Sequence, residues 1–79
     1  MNATARVIKG CPTLLINKST TPVPISIEAT DVGVKVKGLG RTLWMAGNRR
    51  SEPKLKYGQT FNLNNGDPTK FITIEITDF

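Results

Sequence analysis

Ile72-Thr73-Ile74-Glu75-Ile76-Thr77 alternates apolar and polar side chains with a period of two. Successive side chains on an extended chain point to opposite faces, so this stretch reads as a strand with one isoleucine face buried and one polar face solvated. Immediately upstream, Asn64-Asn65-Gly66-Asp67-Pro68 gathers residues that tolerate the backbone angles of a tight reversal. The pair predicts a hairpin joining Gln59–Leu63 to Lys70–Thr77.

The same period recurs further from the hairpin. Val32, Val34 and Val36 alternate with Gly33, Lys35 and Lys37, and Ile25, Ile27 and Ala29 alternate with Ser26 and Glu28. Shorter apolar runs at Ala5–Ile8, Leu14–Ile16, Leu43–Ala46 and Phe61–Leu63 predict further strands. Turn chemistry separates them at Gly10-Cys11-Pro12, Ser19–Pro24, Asp31, Gly38-Leu39-Gly40, Gly47–Pro53 and Gly58. Pro22 and Pro24 lack an amide donor, which places the strand that follows them at a sheet edge. No window carries apolar residues at helical spacing over three turns. The fold class is therefore all-β: one domain over residues 1–79, a small sandwich or partly open barrel of about 6–8 short antiparallel strands.

Seventy-nine residues give a thin core, and neither a disulfide nor a metal staples it, since Cys11 is the only cysteine and histidine is absent. That economy, with a strong strand close to the last residue, predicts a homodimer formed edge to edge through the C-terminal strand, with Phe79 packed across it. The missing histidine removes the usual proton shuttle and the Ser-His and Cys-His nucleophile pairs, so no catalytic residue, cofactor or metal site is expected. Glu28 and Glu75 read as solvated strand carboxylates and not as a catalytic pair. Gly38-Leu39-Gly40-Arg41 lacks the spacing of a phosphate-binding loop and reads as a hairpin turn. No apolar run is long enough to span a bilayer and no secretory leader is evident, so a soluble, intracellular protein without a membrane partner is expected, in a cell or an infected host.

Charge supplies the functional pointer. Lys35, Lys37, Arg41, Arg49, Arg50, Lys54 and Lys56 lie within one segment opposed only by Glu52, whereas the rest of the chain is slightly acidic. The only tryptophan, Trp44, lies inside that segment, and the only tyrosine, Tyr57, follows it. Concentrated cations beside flat rings suit a polyanion: the field recruits phosphates and the rings stack bases. If β-hairpins gather these residues on one face and one end, Lys35, Lys37, Arg41, Trp44, Arg49, Arg50, Lys54, Lys56 and Tyr57 form a nucleic-acid or anion site of weak sequence specificity. Trp44 is the pivot. Leu43-Trp44-Met45-Ala46 is apolar throughout, so alternation leaves open whether the indole is core or an exposed anchor, and Tyr57 carries the same ambiguity. Phe61 and Leu63 read as core. The competing reading is a protein–protein module, a subunit of a larger assembly or a viral-type inhibitor that docks on an acidic host protein surface.

Overall fold

The computed structural model describes residues 1–10, 21–47, 50–67 and 69–79. Six strands run β1 (Asn2–Gly10), β2 (Val23–Thr30), β3 (Gly33–Lys37), β4 (Leu43–Met45), β5 (Thr60–Asn64) and β6 (Phe71–Asp78). Each pairs antiparallel with its neighbours in chain order, and β6 pairs back onto β1, closing the barrel. The segments containing Cys11, Leu14–Ile16 and Arg49 lie outside the described residues.

Alternation sets the interior. Ile72, Ile74 and Ile76 of β6, Leu63 and Phe61 of β5, Leu43 and Met45 of β4, Val34 and Val36 of β3, Ile25 and Ile27 of β2, and Ala3 and Ala5 of β1 are buried. Branched side chains fill the interior of a barrel this small and form one packed core cluster. Leu39, in the β3–β4 turn, is buried at one mouth of the barrel, and Leu55 packs on the core from the β4–β5 connection. The β5–β6 hairpin forms where the sequence predicts it, with Leu63 opposite Ile72 and Phe61 opposite Ile74.

Three expectations change. The C-terminal strand is not an edge: β6 bonds to β5 on one side and to β1 on the other, so it has no unpaired row to offer a second copy, and the edge-to-edge dimer loses its basis. The proline-led strand is not an edge either. Ile27 exchanges both backbone bonds with Met1 on the β1 side. By alternation the donor-less nitrogen of Pro24 then faces the β3 side, where pairing begins only at Ser26 opposite Lys37. Val32, expected in the core phase with Val34 and Val36, occupies the β2–β3 turn and is 73% exposed. There the Thr30 hydroxyl donates to the Gly33 carbonyl at 2.7 Å and holds the reversal.

The closing seam depends on one glycine. Gly10 sits opposite Ile72 at φ +146°, and a Cβ built there would lie 2.4 Å from the Ile72 Cα. Only glycine allows β1 to approach β6 so closely. Lower on the same seam, Arg6 Nε donates to Glu75 Oε1 at 2.9 Å.

Candidate nucleic-acid interface

An up-and-down barrel has two rims, and successive connections alternate between them. The β3–β4 turn, the β5–β6 turn, the end of β1 and the start of β2 share one rim, here called the Arg41 rim. The β2–β3 turn, the β4–β5 connection, the start of β1 and the end of β6 share the opposite one, the Tyr57 rim. The basic segment is therefore divided. Lys37 and Arg41 are exposed at the Arg41 rim, whereas Arg50, Lys54, Lys56 and Tyr57 are exposed in the connection at the Tyr57 rim. The expectation that all of these cations share one face and one end does not hold. Between the two groups lies β3, whose five residues span about 13 Å at ~3.3 Å each. That exceeds the Debye length of ~8 Å at physiological salt, so the two basic groups act as separate fields.

Trp44 resolves outward. Leu43 and Met45 on either side of it are buried, so the indole projects from the outer wall, half-buried. Register then places it in a lateral row across five strands: Glu28 opposite Lys35, Lys35 opposite Trp44, Trp44 opposite Asn64, and Asn64 opposite Phe71. All five stand in the outward phase of their strands. Lys35 Nζ lies 3.4 Å from Glu28 Oε2, which offsets part of its charge, leaving Lys37 and Arg41 as the less encumbered cations of this side. Lys70 in the β5–β6 turn and Lys9 near the end of β1 are also exposed toward the Arg41 rim. A groove of about 390 Å³ bounded by Asn2, Pro24, Ser26, Lys37 and Gly38 continues the wall on the far side of Lys37.

Asn64, Phe71, Lys9 and Lys70 join this surface without belonging to the basic segment. Phe71 carried a usable signal: it occupies the polar phase of an otherwise clean alternation, with Thr73, Glu75 and Thr77. An aromatic ring in that phase faces solvent, and Phe71 is 39% exposed. Asn64 shares the outward phase of β5 with Thr60 and Asn62.

At the Tyr57 rim, the Gln59 N–H donates to the Lys56 carbonyl and the Gln59 Oε1 accepts the Lys56 N–H. Gly58, at φ +76°, lets the chain reverse, and the N–H groups of Gly58 and Ile76 bind the Ile76 and Gln59 carbonyls at 2.8 Å each, lashing the turn to β6. This brings the Tyr57 and Phe79 rings to a centroid separation of 4.8 Å, tilted 33°, with both rings largely exposed. Glu28 and Glu75 each face a cation, Lys35 and Arg6, and do not meet. A second cavity, about 220 Å³, opens between Met45, Ala46, Gln59 and Asn62, where β4 stops short of the start of β5. Among the described residues no helix is long and apolar enough to cross a membrane.

Comparison with protein-family models, curated proteins and solved structures finds no match to this chain.

Proposed function

We propose that this chain is a small non-enzymatic basic barrel that binds single-stranded nucleic acid on its outer wall, with weak dependence on sequence. The observation that carries the reading is the outward placement of Trp44, in register between Lys35 and Asn64 with Phe71 one strand further on. Bases stack on the two rings, which accept any nucleobase because every base has a π-face. Phosphates are held by Lys37, Arg41 and Lys70, with a smaller share for Lys35 because Glu28 already engages it.

Salt dependence tests this directly. Three to four neutralised phosphates on a single strand give a slope of log affinity against log salt of about −2 to −3. Changing Lys37 and Arg41 together to alanine flattens that slope by about 1.4, because each contact contributes about 0.7. Changing Lys54 and Lys56 together leaves it unaltered, since they face the other rim. Affinity independent of salt, or no binding to any oligonucleotide at low salt, overturns the reading.

A second reading has its own support. The exposed Tyr57–Phe79 pair lies on the same rim as the connection that carries Arg50, Lys54 and Lys56, an aromatic anchor with basic company suited to an acidic protein surface. If the chain serves that role, loss of Tyr57 weakens partner binding while Trp44 is dispensable.

A further inference from the structure

We infer that Asn64 reads the edge of a stacked base, so that the wall prefers bases presenting a carbonyl at this position (uracil or thymine, and guanine) over cytosine and adenine, which present an amino group there. The inference rests on the single-strand reading above and deepens it.

Two observations carry it. The first is placement. Asn64 is the outward residue of β5 directly between Trp44 on β4 and Phe71 on β6. Adjacent strands lie about 4.8 Å apart, so the two ring-bearing positions are about 10 Å apart with the amide midway. A base resting on either ring brings its polar edge over Asn64.

The second is the orientation of the carboxamide. The Gly66 N–H donates to Asn64 Oδ1 at 2.9 Å, within the β5–β6 turn. A backbone N–H bonds only to the oxygen of an amide, so this contact identifies which end of the group is which. The oxygen is committed to the turn. Nδ2, with two hydrogens and no acceptor capacity, is the end left for a ligand, and no described group accepts from it. Among the described residues no buried side-chain nitrogen or oxygen lacks a partner, so Nδ2 is not sealed from solvent. Asn62, two residues back on the same outward phase, bonds to the Thr73 hydroxyl at 2.8 Å. The outer face of β5 therefore offers, at Asn64, an amide donor whose own oxygen is already bonded within the barrel.

A single oriented donor discriminates by pairing rules. At the exocyclic 4- or 6-position of the base, uracil O4 and guanine O6 accept from Nδ2, whereas cytosine N4 and adenine N6 are themselves donors and offer it no acceptor there. One net hydrogen bond corresponds to between about 2- and 10-fold in affinity. This is a bias and not a code, in keeping with a surface that binds chiefly by stacking and charge.

Uracil and cytosine differ at this edge by O4 against the N4 amino group, which makes oligo(dU) and oligo(dC) the decisive probes, at about ten residues to fill one site. The native protein binds oligo(dU) between about 2- and 10-fold more tightly than oligo(dC). Asn64→Asp keeps an oxygen for the Gly66 N–H but replaces the donor with an acceptor, so the ratio inverts in favour of oligo(dC), even as the added negative charge weakens both. Asn64→Ala brings the ratio toward unity. Equal native affinity for the two, or a ratio that neither variant changes, overturns the role of Asn64 while single-strand binding stands. Absence of binding to both probes overturns the binding reading and this inference together.

Discussion

Replacing Trp44 with alanine separates a binding anchor from a core residue, because the two roles predict losses in different measurements. A tryptophan buries up to about 150–250 Å². For a half-buried ring on the outer wall, roughly 100 Å² of that is apolar area removed from water, and at ~25 cal/mol/Å² it amounts to about 2.5 kcal/mol as an upper bound. Truncation here opens onto solvent and leaves no sealed void, so no cavity penalty adds to it. The expected loss of folding stability is therefore about 1–2 kcal/mol, against about 3–5 kcal/mol for a tryptophan in a closed core. Binding falls by about 1–3 kcal/mol, which is roughly 5- to 150-fold in Kd. Trp44→Phe retains a π-face and keeps most of the affinity. Urea unfolding followed by far-ultraviolet circular dichroism reads the first quantity, and anisotropy of a labelled oligonucleotide in the same buffer reads the second. Because Trp44 is the only tryptophan, its emission in the native chain reports the site alone and is quenched as a base stacks on it. A stability loss above ~3 kcal/mol, typical of a core aromatic, together with an affinity change under about twofold, would refute the outward anchor.

Two further outcomes probe the frame around the site. Gly10→Ala drives a Cβ against the Ile72 backbone at a positive φ, so the urea midpoint drops by the equivalent of about 2 kcal/mol or more, while Gly58→Ala, with open space around it, loses only about 1 kcal/mol. In the β5–β6 turn, the hydroxyl of Thr69 and then its N–H, at 2.7 and 2.9 Å, hold the Asp67 carboxyl below its ordinary value of 3.8. A carboxylate with a depressed native pKa contributes its order to the turn above the unfolded value and loses it as pH falls through the lower native one. The Asp67 midpoint therefore lies lower than that of an unpartnered carboxyl, and Thr69→Ala moves it upward in a carboxyl-detected NMR titration.

The strands are legible in the sequence because alternation is a local property. Ile72, Ile74 and Ile76 determine their own phase whatever they pair with, and Asn64–Pro68 determines the hairpin that pairs them with β5. Closure is not local. It depends on the register of β1 against β6, where partners such as Arg6 and Glu75 lie 69 residues apart. A strand near a chain terminus and a strand led by Pro24 both resemble edges until that register is known. Val32 fails for the opposite reason: alternation extends too far when the turn it enters is formed by Thr30 and Gly33 within the same run.

The candidate site is legible in its parts and hidden in its assembly. A charge cluster that spans a hairpin turn, one strand and the next connection is divided by any up-and-down meander, since consecutive connections fall on opposite rims. The apparent unity of Lys35 to Lys56 is a property of the linear chain. In space, Lys37 and Arg41 share a rim with Lys9 and Lys70, which sequence places in unrelated segments, while Lys54 and Lys56 belong to the far rim. Trp44 changes status in the same way. Four consecutive apolar residues give it no phase, and only the burial of Leu43 and Met45 against β3 and β5 turns it outward. Once it is outward, register supplies Asn64 and Phe71 as its neighbours, and a donor amide between two rings exists only because β4 and β6 flank β5. Composition suggests a class of ligand; the pairing of strands determines which residues stand together on the wall.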